Sequence, residues 1–232
     1  MNLNQRQEDI LKLLEEKGQV RVADLSKGLY ASEMTIRRDL KFLESEGLVA
    51  RCHGGALPIG NHLFFPIKYR MLANEKQKKA LALSAKKYLR DDITIFFNSS
   101  STCAFLLPYL KEYKNIKVIT NSLYLVSLLA PFHIPCTLTG GEYNEAEKCL
   151  CGGIAEAFLR DVHPDISFLS CEGISDDLEI TESQSQMAQI AKIACKNSKL
   201  TIFLMDSSKM GSQYTHSICR VSENKNVVVI TK

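Results

Sequence analysis

Apolar residues recur at helical spacing along the first 45 positions and as short strand-like runs beyond position 90. Ile10, Leu11, Leu13 and Leu14 predict a helix from about Asn4 to Lys17, with Gly18 as its stop. Val20-Arg21-Val22 is short and β-branched, as expected of a lone strand. Asp24 opens a short second helix through Leu25 and Leu29 that ends near Tyr30. In the third helix, Ile36, Leu40 and Leu43 share one face, and Met34, Arg37, Arg38, Lys41 and Ser45 fall opposite. The Ser32 hydroxyl is placed to cap this helix, and Glu33 in its first turn suits the helix dipole. Thr35 at the third position leaves the capping box incomplete. Gly47 fits the left-handed position after the helix, with Leu48 closing back on Leu43. Leu48-Val49-Ala50-Arg51 and Ala56-Leu57 then flank His53-Gly54-Gly55 as a hairpin.

After a connector from Pro58 to Pro66, a helical pattern runs from Glu75 to Leu89, and the periodicity changes. Short apolar runs alternate with small polar residues. Ile93-Thr94-Ile95-Phe96-Phe97 leads to Asn98, Ser99, Ser100, Ser101 and Thr102, then to a helix through Phe105 and Leu110. Ile116-Lys117-Val118-Ile119 leads to Thr120-Asn121-Ser122 and a helix through Leu129; Cys136-Thr137-Leu138-Thr139 leads to Gly140-Gly141. Ile166-Ser167-Phe168-Leu169 precedes Glu172, and the run from Leu200 to Met205 precedes Asp206 and Lys209. A last run spans Val227 to Ile230. Strands alternating with helices predict a largely parallel α/β sheet, in which ligands bind beyond the carboxyl ends of the strands. The Ser, Thr, Asn and Gly residues gather at those ends. There they serve either as helix caps or as the mouth of a phosphate-binding site.

Composition places limits on this scheme without changing it. At 232 residues the chain accommodates two compact domains, read here as 1–57 and 75–232 with a 58–74 linker. The longest apolar runs fall short of a bilayer span, and the polar start Met1-Asn2-Leu3-Asn4 has no secretory pattern. A cytoplasmic protein with no membrane partner is therefore expected. The eight cysteines are scattered without a Cys-x-x-Cys, so reduced thiols are expected, and no metal site or cofactor is assigned. Residues 1–57 carry nine Lys/Arg against nine Asp/Glu, so any attraction for phosphate must be local.

Helix, strand, helix, turn, helix and hairpin in under 60 residues is the order of a winged helix-turn-helix. The third helix, with an aliphatic seam on one side and adjacent arginines on the other, suits a DNA major groove; a solvated amphipathic helix is the alternative. Arg37 and Arg38 offer bidentate donors to a guanine edge or a phosphate. Ser32 and Thr35 lie at the terminus that enters the groove, Lys41 lies on the same face, and Arg51 and His53 sit on the wing. Asp39 repels phosphate and is read as an internal partner for an arginine. The strings Ser32-x-x-Thr35-Ile36-Arg37-Arg38-Asp39-Leu40 and Arg51-x-His53-Gly54-Gly55 resemble those of the DeoR family of bacterial sugar-responsive transcriptional regulators.

The resemblance continues through Glu75-Lys76, the Ser99 to Thr102 loop, Thr120-Asn121-Ser122, Gly140-Gly141, Gly152, Gly173 and Asp206-Ser207-Ser208-Lys209. It implies a C-terminal α/β sensor domain related in fold to ribose-5-phosphate isomerase. It also implies a phosphorylated sugar or related effector held by Lys76, Asn98, Ser99, Ser100, Ser101, Thr102, Thr120, Asn121, Ser122, Gly140, Gly141, Glu172, Asp206 and Lys209. A homodimer or homotetramer binding a double-stranded operator, and repressing a carbohydrate operon, follows from the same likeness. The chain departs from the family pattern at Asn98, where Asp is usual, in the serines of the loop, and in Thr181 to Gln186, which lacks an acidic pair. Two other readings stand beside this one: a regulator insensitive to any effector, and an isomerase-like enzyme using Glu172, Asp206 and Lys209.

Overall fold

The computed structural model describes residues 3–52, 54–58, 67–72 and 74–231. The chain divides into two compact units, 1–73 and 74–232.

In the first unit, α1 (Gln5–Lys17) is followed by β1 (Val20–Arg21), α2 (Val22–Gly28), α3 (Glu33–Ser45), β2 (Val49–Cys52), β3 (Gly55–Pro58) and the short α4 (Ile67–Arg70). Helix α1 begins with a full capping box, in which the Asn4 side chain accepts from Gln7 N–H and the Gln7 side chain accepts from Asn4 N–H. It ends at Gly18 in the left-handed region. Val22 opens α2 rather than ending the strand, and α2 stops at Gly28. The Gly47 turn returns the Leu48 N–H to the Leu43 carbonyl at 2.9 Å, which closes α3. The strands pair antiparallel in the order β1-β3-β2. Gly55 is required there, because a Cβ would collide with the Val20 carbonyl. Ile10, Leu14, Leu25, Ile36, Leu40, Leu43 and Leu48 form the buried seam beneath the helices. Of the expected connector from Pro58 to Pro66, Pro58 ends β3, and 59–66 lie outside the described residues.

The second unit runs α5 (Glu75–Ala85), β4 (Thr94–Phe97), α6 (Ser101–Ala104), β5 (Lys117–Thr120), α7 (Leu123–Leu129), β6 (Cys136–Leu138), β7 (Glu142–Asn144) and β8 (Cys149–Cys151). It continues with α8 (Gly152–Arg160), β9 (Ile166–Leu169), β10 (Gly173–Ile174), β11 (Glu179–Glu182), α9 (Ser185–Asn197), β12 (Leu200–Met205), β13 (His216–Arg220) and β14 (Val227–Thr231). Six strands form an all-parallel sheet in the order β14-β12-β9-β4-β5-β6. Its central strands are apolar on both faces, as a sheet covered on both sides requires. Phe96 packs with Leu169, Phe203, Ala155 and Ile190 on the α8–α9 side. Phe97, one residue on, turns to the opposite face and stacks on Phe168 with ring centroids 5.4 Å apart.

The predicted helix through Leu110 is cut short. The α-helix ends at Ala104 and a 3-10 segment takes over from Leu107 to Glu112. Pro108 lacks an N–H, and its ring would meet the carbonyl of residue 104 in a continued α-helix. Two elements carried no clear period in the sequence: the β7–β8 hairpin and a small antiparallel sheet ordered β10-β11-β13. Among the described residues, no helix is long and apolar enough to cross a membrane, and no cluster of His, Cys, Asp and Glu is arranged to hold a metal.

Candidate functional site

In the first unit, α3 presents a narrow exposed face. Ser32 caps the helix, its Oγ accepting from Thr35 N–H at 3.2 Å and lying 2.8 Å from Thr35 Oγ1. Ile36, Asp39, Leu40 and Leu43 point inward. Arg37, Arg38 and Lys41 point outward with Met34. Arg37 reaches back one turn to Glu33 at 3.3 Å, while among the described residues Arg38 and Lys41 pair with no carboxylate. At the base of the wing, Arg51 Nε donates to Glu44 Oε2 at 2.7 Å and its backbone N–H to Glu44 Oε1 at 3.3 Å. The Arg51 guanidinium holds the Glu44 carboxyl below the usual range. His53, the other wing residue expected to touch DNA, lies outside the described residues.

The partner of Asp39 is neither arginine of its own helix. Arg6 Nε donates to Asp39 Oδ2 at 2.5 Å, and Gln7 Nε2 donates to Oδ1 at 3.0 Å. A buried carboxylate thus fastens α3 to α1, and Arg37 and Arg38 are free of that duty. The same contact raises the Arg6 pKa.

In the second unit, a parallel sheet delivers every strand's carboxyl end to one edge. The order β12-β9-β4-β5-β6 therefore sets five polar segments side by side: Asp206 to Lys209, Ser170 to Glu172, Asn98 to Thr102, Thr120 to Ser122, and Gly140-Gly141. The chain direction across the sheet reverses between β4 and β9, which is where such folds open a crevice. The start of α5 joins the same edge: Asn74 Nδ2 donates to Asp206 Oδ1 at 3.3 Å, and Ser207 N–H to Gln77 Oε1 at 3.2 Å.

Many of the predicted ligand groups are spent inside the protein. Asn98 Nδ2 donates to the Ser170 carbonyl at 2.8 Å and Asn98 Oδ1 accepts from Ser170 N–H at 3.3 Å, extending the β4–β9 ladder by one rung. Ser99 Oγ donates to the Glu147 carbonyl at 2.8 Å, and Ser100 Oγ caps α6. Thr120 Oγ1 donates to the Phe97 carbonyl at 2.7 Å, and Ser122 Oγ caps α7. Gly141 is fixed by backbone approach, since a Cβ would strike the Cys151 carbonyl. The β7–β8 hairpin lies over this part of the edge: Asn121 Nδ2 donates to the Leu150 carbonyl at 3.0 Å, and Leu150 N–H to the Asn121 carbonyl at 2.7 Å. Asn121 Oδ1 is buried with no hydrogen-bond partner among the described residues.

The groups left to meet a ligand cluster toward β9 and β12. Glu172 is buried, with one oxygen on Ser183 N–H at 2.8 Å. Lys209 is half-buried and, among the described residues, forms no ion pair. Tyr214 N–H donates to Thr181 Oγ1 at 3.0 Å, beside Glu182, and burial, then the charges of Glu172 and Glu182, pushes the Tyr214 hydroxyl pKa up. Asp206 is engaged by its own turn, through Ser208 N–H at 3.2 Å and Ser208 Oγ at 2.5 Å. Lys76 is exposed on the first turn of α5, and the buried lysine there is Lys78, which sequence pattern did not single out. Burial pushes the Cys103 thiol up to about 12 and raises Cys171 as well, so neither is a ready nucleophile.

The Asn98 bridge carries a prediction. Asn98→Asp removes the donor to Ser170 and sets two acceptors against each other. It should cost about 1–3 kcal/mol, read as a melting temperature of the full chain lower by several degrees. An unchanged melting curve would show that the amide does not hold β4 to β9.

Comparison with known proteins agrees with both halves. Residues 6–60 match the DeoR-like helix-turn-helix domain, and residues 73–231 match the DeoR C terminal sensor domain. The chain is 29% identical over 227 residues to the HTH-type transcriptional regulator GolR of Listeria innocua, covering 97% of this chain and 89% of that protein. It is 32% identical over 221 residues to an uncharacterized HTH-type regulator, YulB, of Bacillus subtilis, covering 93% and 84%. It is 28% identical over 234 residues to the lactose phosphotransferase system repressor of Staphylococcus aureus, covering 99% and 92%. Among solved structures, a D-ribose-5-phosphate isomerase in complex with phospho-erythronic acid aligns with a TM-score of 0.45 at 20% identity, over 59% of this chain and 54% of that one. With a helix-turn-helix unit followed by a sensor unit along nearly its whole length, the chain belongs to the DeoR family of transcriptional regulators.

Proposed function

We propose that this regulator is a repressor of a carbohydrate operon, and that a phosphorylated sugar bound at the carboxyl edge of the parallel sheet changes its affinity for operator DNA. The observation that carries the proposal is the row of polar segments at the β4–β9 reversal, in a chain that also bears an exposed basic helix face. Lys209, together with the exposed Lys76 on the first turn of α5, supplies positive charge for a phosphate; Glu172 accepts hydroxyls; Asn121 Oδ1 offers an acceptor with no hydrogen-bond partner among the described residues. Ser101 and Thr102 border the same crevice, and the other predicted loop residues shape it through their internal bonds. Arg37, Arg38, Lys41 and the wing meet DNA, with Ser32 and Thr35 holding the end of α3 in shape. The name of the Staphylococcus aureus relative supports a carbohydrate signal. The protein acts in the cytoplasm, as a dimer or tetramer on repeated half-sites.

Binding without turnover is the reading we adopt. A sensor needs only different affinity for its ligand in two states, whereas isomerisation needs a free base beside the reacting carbon. The Asp206 oxygen Oδ1 is already engaged, and Glu172 is tied to Ser183 N–H. The test is a panel of pentose and hexose phosphates titrated into the full chain while thermal unfolding is followed. A true effector at one hundred times its Kd adds about 2.7 kcal/mol and alters retention on operator DNA. A panel without any shift favours an effector-insensitive regulator, and conversion of a sugar phosphate at enzyme-like rates overturns the binding-only reading.

A further inference from the structure

The two most exposed large hydrophobic side chains among the described residues flank Ser32, the cap of α3, one in the preceding turn and one in the helix. Tyr30 is 98% exposed and Met34 is 80% exposed. Scattered single apolar groups on a surface are ordinary, but two that bracket the cap of a recognition helix are not scattered. Met34 shares the face of Arg37, Arg38 and Lys41, at spacings of three, four and seven residues. It lies one turn nearer the amino terminus, the part of such a helix that enters the major groove. The polar groups expected to act there are already engaged, since the Ser32 and Thr35 hydroxyls meet each other and the Thr35 N–H. Tyr30 holds a left-handed backbone, φ 49°, which is uncommon for a bulky residue, with its side chain fully in solvent.

We propose that Met34 reads the C5-methyl group of a thymine in the operator, with the Tyr30 ring excluding water from the same contact. In the major groove only thymine presents a methyl group, and apolar side chains recognise it by contact. A thioether on an unbranched stem suits that role, being polarizable and adaptable in shape. The expected operator therefore places a thymine beside the base pairs read by the adjacent arginines.

The full chain would first select its preferred sequence from a randomised duplex library. Its affinity for that duplex is then compared with copies in which each thymine in turn is replaced by deoxyuridine, which removes only the methyl group. One position should lose about fourfold in affinity, the worth of a buried methyl. Met34→Ala should bind the thymine and uracil versions of that position alike, and Met34→Leu should retain the preference. Equal binding of wild type to an all-uracil duplex overturns the inference, as does a fourfold preference that survives Met34→Ala. Both comparisons require that some duplex is selected; a chain that enriches none overturns DNA binding itself and this inference with it.

Discussion

Asp39→Ala is expected to loosen the helix-turn-helix unit by about 2–3 kcal/mol. Removing one member of a buried ion pair costs about 3–5 kcal/mol, and the value here is lower because the Arg6 side chain is 35% exposed and solvated. The loss includes Gln7, whose buried amide gives up its acceptor on Asp39. For a unit of this size the change corresponds to about 10–20 °C in its melting temperature. Hydrogen exchange on the full chain is the direct measurement. Amides of α1 and α3 should lose protection while those of the six-stranded sheet keep theirs. Asp39→Asn retains an acceptor oxygen and should lose about half as much. DNA affinity should fall with the folded fraction and recover on cooling, which removal of a direct contact would not do. Unchanged exchange in α1 would sink the idea that Asp39 is the clasp.

Asp39 also marks where sequence stops being informative. Its burial was legible, since an anion in a string of DNA-facing residues must turn inward, but its partner was not. Arg6 lies 33 positions away, and only the packing of α1 on α3 selects it over Arg37 and Arg38. Signals that act within a few residues were readable: the Ser32 cap, the Gly47 stop, the wing hairpin and the apolar runs of the parallel strands. Pro108 was equally local and equally readable, and extending a helix through it ignored its missing N–H. The β7–β8 hairpin could not be read, because its strands are three residues long, too short for a period of two to stand out. That hairpin decides the fate of the loops beneath it. Composition shows that Ser99, Asn121 and Ser122 need hydrogen-bond partners; it does not show whether a ligand or a neighbouring loop supplies them. Here the neighbouring loop supplies most of them, and candidates for ligand contact move toward Glu172 and Lys209.

The second large effect is expected at the two arginines of α3, which the geometry makes unequal. Arg37 already has Glu33 one turn back, an exposed pair worth about 0.3–0.5 kcal/mol, so it gives that pair up readily for a phosphate. Arg38 has no carboxylate partner among the described residues and extends from the same face as Lys41. A bidentate arginine on guanine contributes about 1–3 kcal/mol of discrimination. Arg38→Ala should therefore weaken operator binding about 5–150-fold, with the loss concentrated at particular base pairs. Arg37→Ala should weaken binding to all sequences alike and lower the slope of log K against log salt by about 1. Titrations of both variants over a set of single-base operator changes and several salt concentrations separate the two roles. Arg51 helps keep them separate, because its bond to Glu44 sets the wing against the far end of α3 and leaves the near end to enter the groove. Wild-type affinity in both variants would mean that α3 is not the reading element, however well its sequence fits one.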